Sequence, residues 1–168
     1  MKKILGLLTV FAFSIGFSFS QKKRVSPKET TTGEINGVEV SINYCAPSVK
    51  GRKIWGELVP YDKIWRAGAN EATTMEFGKD ISIQNNKLPA GKYSFFVIPN
   101  KEKCTLIFNN DFKQWGSYNY SMDKDQLRID VRPILNSKSI EKLVYEISDK
   151  TIYLKWSNWI ISFDISSE

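Results

Sequence analysis

Basic and aromatic side chains are concentrated in segment 45–71, CAPSVKGRKIWGELVPYDKIWRAGANE. Arginine makes planar, bidentate contacts with carboxylates or phosphates, and tryptophan offers a flat face on which a ligand can stack. Binding residues are often carried by loops on a rigid scaffold. The segment therefore supplies a first set of candidate ligand-binding residues: Lys50, Arg52, Trp55, Lys63, Trp65, Arg66, Asn70 and Glu71.

The same segment also has a structural interpretation. The two tryptophans, Trp55 and Trp65, can cap the open end of a β-sandwich. The two arginines, Arg52 and Arg66, can form ion pairs inside the segment, with Glu57, Asp62 or Glu71 as their partners. The sequence alone leaves the functional and the structural interpretation open.

A second candidate set is aromatic and lies in the turn-rich run around WGSYNY. Aromatic rings with one polar end are typical of sugar-binding surfaces. Trp115 and Tyr118 are predicted to bind ligand, with Tyr120 close by in sequence. The alternative interpretation is aromatic packing between neighbouring strands.

The residues missing from the sequence restrict the chemistry. Histidine is absent and there are two cysteines, so catalysis by Ser-His-Asp or Cys-His and metal sites built on His or thiolate ligands are excluded. We therefore predict no catalytic residue, no metal ion and no cofactor. A glycosidase could still use two carboxylates, but no spacing selects a pair among the acidic candidates. Those candidates are Glu57, Asp62, Glu71, Glu76, Asp123 and Asp125.

The two cysteines, Cys45 and Cys104, could form a disulfide in an oxidising compartment. Alternation in the preceding residues argues against the bond. Val38, Val40 and Ile42 share one parity and are expected in the core, so Cys45 should point away from it. Cys104 shares its parity with residues expected in the core. We therefore expect the two thiols to remain unlinked.

Alternation of apolar and polar residues with a period of two recurs through most of the chain and predicts β-strands. Segment 140–147 fits a helix or a strand, and the tight turn that follows favours the strand. Turns are predicted at Asn36-Gly37, at 84–87, at 148–150 and at Ser157-Asn158. The predicted strands are 36–44, 72–77, 79–84, 92–98, 103–109, 127–135, 140–147, 151–156 and 159–165. The predicted fold is all-β, an antiparallel sandwich or distorted barrel of eight or nine strands.

Segment 45–71 is too long to be an ordinary connection. Its apolar side chains are numerous enough to pack against the sheets, so we predict an ordered loop with helix limited to a turn or two within 53–72. Residues 35–168, which include this loop, form one predicted domain. The polar stretch 21–34 before it is a partly ordered lead-in.

The first twenty residues have the layout of a secretory signal. Lys2 and Lys3 precede an apolar stretch, and small residues at Ser18 and Ser20 predict cleavage before Gln21. The protein is therefore expected in the periplasm or outside the cell, without a membrane span after cleavage. Removal of the signal leaves a net charge of about +4 spread along the chain, which argues against a nucleic-acid partner.

Several motifs are specific in combination: GRKIWG followed by WRAGANE, then LPAGKYSFFVIP, WGSYNY and DQLRIDV. With these motifs the chain, from about Ser26 to Ile165, resembles a bacterial family of unknown function, domain of unknown function family 2911. The resemblance implies an all-β domain exported by Bacteroidetes-like bacteria. It implies no activity. Cys45 and Cys104 depart from the family pattern.

These observations predict a non-enzymatic binding or interaction module of the periplasm or cell envelope, with a glycan or another envelope component as its ligand. Two other functions stay open at this stage. One is a carboxylate-dependent hydrolase acting on glycans, and the other is a structural accessory protein of the envelope. The ligand and the oligomeric state are not determined by the sequence.

Overall fold

The computed structural model describes residues 24–167. The predicted signal peptide, 1–20, and the cleavage position before Gln21 lie outside these residues. Within them the fold is all-β, as predicted, and contains no α-helix. The eleven strands are β1 (Lys28–Ile35), β2 (Val38–Cys45), β3 (Thr73–Phe77), β4 (Ile81–Ile83), β5 (Asn86–Leu88), β6 (Gly91–Ile98), β7 (Cys104–Asn109), β8 (Asp125–Val131), β9 (Ile134–Ile147), β10 (Thr151–Asp164) and β11 (Ser166–Ser167).

The main layer is a six-stranded antiparallel sheet in the order β1-β2-β3-β6-β7-β8. It is open, because β1 and β8 lie at opposite edges and do not pair with each other. Of the two predicted architectures, the structure therefore has the sandwich and not the barrel. Its inner face carries alternating apolar residues, such as Val40 and Ile42 of β2 and Met75 and Phe77 of β3.

The second layer consists of the long β9–β10 hairpin and a small sheet in the order β11-β4-β5. Ile81, Leu88, Leu154 and Phe163 from this layer share one buried core with the inner face of the main sheet. Aromatic rings connect the two layers, with Phe163 5.7 Å from Phe108 between ring centroids. Burial of large aromatic side chains on both sides is the main stabilising contribution to such a core.

Two short turns join strands where the sequence predicted them. Asn36 and Gly37 have φ angles of 51° and 77°, the left-handed geometry that a two-residue hairpin requires. The second turn is shorter than the predicted 84–87. Only Gln84 and Asn85 form it, with φ angles of 50° and 64°, because Asn86–Leu88 already belongs to β5.

Several predicted boundaries are wrong. Ser157-Asn158 is not a hairpin turn: β10 continues through it as a strand paired with β9, with register shifts on both sides of Ser157. The positive φ of Ser157, 52°, occurs in an irregular stretch of the β9–β10 pairing and not in a chain reversal. Predicted strand 127–135 is divided, since β8 ends at Val131 and β9 starts at Ile134. Strand 140–147 is confirmed as the second half of β9.

Two further segments, 21–34 and 53–72, differ from their predicted secondary structure. The polar lead-in, 21–34, contains most of β1, an edge strand whose exposed side chains hide its period from sequence analysis. No helix lies within 53–72, and the short 3₁₀ helix of the described residues is Met122–Lys124.

Segment 45–71 is ordered and packed, as predicted. Ile54, Trp55, Val59 and Trp65 are buried in the main core, whereas Leu58 remains 45% exposed. The segment also extends the sheet, because Trp65 and Val97 exchange backbone hydrogen bonds of 2.8 Å.

A cluster of tryptophans fixes this segment to β10. Trp55 stacks on Trp159 with 4.5 Å between ring centroids, and Trp65 stacks on Trp156 at 5.8 Å. Trp55 and Trp65 meet edge to face at 5.5 Å. Trp55 and Trp65 are therefore packed inside the protein, and both rings are removed from solvent.

Candidate functional site

A groove of about 440 Å³ crosses the outer face of the main sheet. Its floor is formed by β1, β2 and the start of β3, whose outward side chains include Thr30, Asn43 and Thr74. One wall is the segment that follows β7. The lining residues are Lys28, Glu29, Thr30, Asn43, Tyr44, Cys45, Glu71, Ala72, Thr74, Phe112, Lys113, Gln114 and Trp115. The volume lies within the range of about 300–1,000 Å³ that is typical of small-molecule sites.

One member of each candidate set predicted from the sequence, Glu71 and Trp115, lies at this groove. The backbone of Glu71 forms a β-bridge with Trp115. Gly116 N–H donates to the carbonyl of Asn70 at 3.0 Å, and Ala72 N–H donates to the carbonyl of Gln114 at 3.0 Å. Backbone contacts therefore join residues 70–72 to residues 114–116.

The groove wall is aromatic and accessible. Trp115 is 57% exposed and Phe112 38% exposed. The other four tryptophans all lie within the described residues, and each is at most 8% exposed. Tyr118, 86% exposed, lies on the same segment but does not line the groove. The wall thus offers two exposed aromatic rings to a ligand, and Tyr118 follows three residues after Trp115.

A buried glutamine holds this wall in place. The Gln114 side chain is 6% exposed, and its Nε2 donates to the carbonyl of Asp111 at 2.6 Å, to Asn109 Oδ1 at 3.3 Å and to Ser94 Oγ at 3.4 Å. Since Ser94 and Asn109 belong to β6 and β7, the wall is tied directly to the main sheet. Such anchoring orders the aromatic side chains before a ligand arrives, which lowers the entropy cost of binding.

A second network fixes the far end of the same segment. Asn109 Nδ2 donates to Asp125 Oδ1 at 2.7 Å, and Tyr120 donates to Asp125 Oδ2 at 2.6 Å. Arg128 completes the network, with its Nη1 3.2 Å from the same carboxylate oxygen. Burial and the hydrogen bond to Asp125 raise the pKa of Tyr120 to about 12. Tyr120 is therefore a neutral structural donor, and its ring packs edge to face on Phe96 of β6 at 5.3 Å between centroids.

Glu71 lies at one end of the groove among two cations and a thiol. Its carboxylate accepts hydrogen bonds from Arg24 at 2.8 and 2.9 Å, forms an ion pair with Lys28 at 3.1 Å and accepts one from the Cys45 thiol at 3.3 Å. Partial burial alone would raise the pKa of Glu71. The hydrogen bonds from its own backbone N–H, Arg24, Lys28 and Cys45 outweigh burial and lower that pKa to about 2.

Cys45 is buried beneath this ion pair and points to the outer face, as its parity predicted. Burial, together with the neighbouring Glu71 carboxylate, raises the pKa of the Cys45 thiol. Cys104 lies in the main core, on the opposite face of the sheet, and burial raises its pKa also. Both cysteines are free.

The two predicted arginines do not reach the groove. Arg52 donates its guanidinium to the carbonyls of Ser48 and Val49, within its own loop. Arg66 is half-buried, and its Nε is a buried donor without a partner among the described residues. The expected pairing with Glu57, Asp62 or Glu71 is wrong. Lys53 pairs with Glu57, Asn100 donates to Asp62, and Arg24 and Lys28 bind Glu71.

The other predicted binding residues divide into two groups. Trp55 and Trp65 are buried in the tryptophan cluster and are not available to a ligand from solvent. Asn70 borders the groove through its backbone, and its side chain donates to the carbonyl of Ser26 at 3.4 Å. Of all the residues predicted to bind ligand, Glu71 and Trp115 line the groove.

Sequence analysis missed most of the groove floor and one side of its wall. Lys28 and Thr30 were missed because β1 was assigned to the lead-in and its outward face therefore had no predicted position. Asn43 lies on the outward face of the predicted strand 36–44 but was not recognised as a candidate. Phe112 and Lys113 directly precede the recognised aromatic run, so proximity to Trp115 was an available signal. The acidic candidates for a hydrolase do not converge, since Glu71 alone among them lines the groove.

No helix among residues 24–167 is long and apolar enough to cross a membrane. In comparisons with known proteins, no curated protein and no solved structure matches the chain. Residues 26–165 match a family described as protein of unknown function, DUF2911. This match spans both layers of the sandwich, segment 45–71 and every residue that lines the groove. The chain is therefore a member of the DUF2911 family.

Proposed function

We propose that this protein is an exported, non-enzymatic binding module of the bacterial periplasm or cell envelope, and that its ligand is a glycan held in the outer groove. The observation that carries the proposal is the pairing of an exposed aromatic wall, Phe112 and Trp115, with a floor of hydroxyl and amide side chains. Sugar rings present apolar faces that stack on aromatic rings and hydroxyl edges that need hydrogen-bond partners.

The floor of the groove offers groups suited to such hydroxyl edges. Thr30, Asn43 and Thr74 lie side by side on β1, β2 and β3, because Asn43 is in register with both threonines. Thr30 donates to Asn43 Oδ1 at 2.8 Å, which orients the amide. These groups are uncharged and each can donate and accept, as recognition of a hydroxyl requires.

The environment of the two carboxylates in the groove, Glu71 and Glu29, favours binding over hydrolysis. A glycosidase needs a general acid whose pKa is raised, so that it holds a proton at neutral pH. The pKa of Glu71 is instead lowered to about 2 by its cationic and neutral donors. The second carboxylate, Glu29, forms an ion pair with Lys142. Neither side chain has the environment of a catalytic acid.

Trp115 provides a direct test of the proposal. It is the most exposed of the five tryptophans, so acrylamide should quench its emission before that of the buried cluster. Titration of residues 21–168 with a panel of neutral, acidic and amino-sugar oligosaccharides should identify one that shifts this emission and protects it from quenching. Calorimetry on Trp115→Ala should then show an affinity about three- to tenfold lower, as loss of one aromatic contact predicts.

Leu135→Ala is the matched control, because Leu135 is 74% exposed on β9 and does not line the groove. It should bind the same oligosaccharide as tightly as the unmodified chain. Both variants should unfold within about 0.5 kcal/mol of the unmodified chain, since exposed side chains contribute little to stability. If no oligosaccharide protects Trp115, or if Trp115→Ala binds normally, the groove is not a glycan site.

A further inference from the structure

The charges around the groove are unbalanced. Its two acidic lining residues are both ion-paired, Glu29 with Lys142 and Glu71 with Arg24 and Lys28. Three cations satisfy these two carboxylates, so this part of the rim carries one positive charge in excess.

Lys113 adds a further positive charge on the aromatic wall. Within the part of the chain that the structure describes, it has no carboxylate partner, and its Nζ lies 5.8 Å from the centroid of the Phe112 ring. A contact of this kind, at an exposed site, is weak. The ammonium group therefore remains available to an anion that approaches the ring faces of Phe112 and Trp115.

We infer that the groove selects acidic saccharides, with a sugar ring stacked on Trp115 and its carboxylate or sulfate group bound by Lys113 and by the positive rim at Lys28. This inference rests on the proposed function and adds the charge of the ligand. The shared chemistry is a polyhydroxylated ring that bears an anionic group, whether a uronic acid or a sulfate ester.

Two features favour a saccharide over an anionic membrane surface. The cations lie along a concave groove whose floor is polar, whereas a membrane contact requires a protruding apolar surface with a basic surround. The positive charge is also local, because Lys28 and Lys113 face the same 440 Å³ cavity. A few well-placed cations beside an aromatic face suit one or two charged groups on a compact ligand.

The experiment compares two oligomers that differ in charge alone. A tetramer of galacturonic acid and the same tetramer after reduction of its carboxylates to hydroxymethyl groups are titrated into residues 21–168, with Trp115 emission and calorimetry as readouts. The acidic oligomer should bind about three- to tenfold more tightly at low ionic strength, and salt should diminish this advantage. The reduced tetramer carrying added sulfate esters distinguishes a preference for sulfate from one for carboxylate.

Substitution should locate the selectivity. Lys113→Gln should remove most of the advantage of the acidic oligomer, so that the ratio of the affinities for the acidic and the reduced oligomer falls towards one. Lys138→Gln is the matched control: it removes the same charge from an exposed position of β9 outside the groove, and the acidic advantage should persist. An equal loss of acidic advantage in both variants would show a general effect of net charge and would overturn the inference.

The remaining outcomes separate this inference from the proposed function. Equal affinity for acidic and neutral oligomers, with Trp115 protected by both, overturns charge selection and leaves the glycan site in place. Failure of every oligosaccharide to bind overturns both. Binding to phosphatidylglycerol-containing vesicles but not to phosphatidylcholine vesicles, without competition by the acidic oligomer, identifies a membrane surface as the partner and also overturns the inference.

Discussion

At the scale of single residues, Glu71 connects three parts of the chain that are distant in sequence. Arg24 and Lys28 come from the N-terminal segment, Cys45 ends β2, and the backbone of Glu71 pairs with Trp115. An ionised carboxylate is needed to hold these donors together. The residue is therefore both a stabilising centre and one end of the groove.

The lowered pKa of Glu71 predicts how stability depends on pH. Because the folded-state pKa of Glu71, about 2, lies below its ordinary value of 4.5, the carboxylate stabilises the native chain above about pH 4.5, and this contribution is lost as the pH falls towards 2. Glu71→Gln should lower the free energy of unfolding at pH 7 by about 1–2 kcal/mol, less than a fully buried pair would give, because the side chain is partly exposed.

The measurement is chemical denaturation at several pH values. The difference between Glu71→Gln and the unmodified chain should shrink steadily below pH 4.5. Glu57→Gln serves as the control, since Glu57 is an exposed partner of Lys53 four residues away and should cost less than about 0.5 kcal/mol at any pH. A pH-independent difference for Glu71→Gln would contradict the ionic origin of the effect.

The two thiols give a second prediction at this scale. Cys45 and Cys104 are at most 2% exposed, and burial raises the pKa of each, so the native chain should react slowly with a thiol reagent. Denaturation without a reductant should release two thiols per chain, the same count as in a fully reduced sample. A count of zero without an intermolecular link would mean that the opposite faces assigned to the two residues are wrong.

At the scale of elements, segment 45–71 is best understood as part of the core. It has no regular strand of its own, yet Ile54, Trp55 and Trp65 are buried in the same core as the strand residues. Its shape depends on backbone positions that other residues do not tolerate. Gly56 is one of these, with φ at +86° and with Tyr61 directly beside it.

Alanine substitutions at two glycines of this segment distinguish the effect of backbone strain on stability from the effect of packing. In Gly56→Ala the new Cβ would lie 2.7 Å from Cε2 of Tyr61, whereas in Gly51→Ala, at φ +68°, no atom lies within 4 Å of it. Both substitutions carry the left-handed backbone penalty of about 1–2 kcal/mol. Gly56→Ala should cost about 1–3 kcal/mol more, because Tyr61 stacks on Trp159 and its displacement disturbs the tryptophan cluster.

Thermal unfolding of the two variants provides the comparison. Gly56→Ala should also alter the near-ultraviolet circular dichroism of the tryptophans, while Gly51→Ala should leave it unchanged. Equal losses of stability with unchanged aromatic signals would show that the segment is less tightly coupled to β10 than its contacts indicate.

At the scale of the whole molecule, the N-terminal segment closes one end of the groove. Ala46 N–H donates to the carbonyl of Pro27, Asn70 donates to the carbonyl of Ser26, and Arg24 binds Glu71. These contacts begin three residues after Gln21, the predicted start of the mature chain. Cleavage before Gln21 therefore preserves all of them, whereas cleavage beyond Arg24 removes the strongest partner of Glu71.

This relation gives a prediction about export. The protein recovered from the periplasm should have the mass of residues 21–168, because Ser18 and Ser20 provide small residues at positions −3 and −1 of the cut. Intact-mass spectrometry measures this directly. A chain that retains Met1, or one that begins after Arg24, would contradict the predicted cleavage and the proposed role of the N-terminal segment.

Local pattern in the sequence was sufficient for most of the fold. Alternation along 36–44 identified a strand, because a strand buried on one face must repeat its apolar residues every second position. The near-continuous apolar run at 92–98 identified a central strand, which is buried on both faces. Parity also assigned Cys45 and Cys104 to opposite faces, and the apolar content of segment 45–71 required it to pack. These properties depend on neighbours along the chain, so the sequence by itself determined them.

Tertiary structure alone decided the edge strand, the irregular stretch of β10 and the site. β1 has no apolar alternation, because pairing with β2 stabilises it. Ser157 continues β10 because β9 is long enough to remain paired with β10 at that position. Glu71, Trp115 and Thr30 are separated by more than forty residues from one another, and strand order brings them to one groove. Periodicity reports which face a side chain takes, whereas the pairing of distant strands determines which side chains meet there.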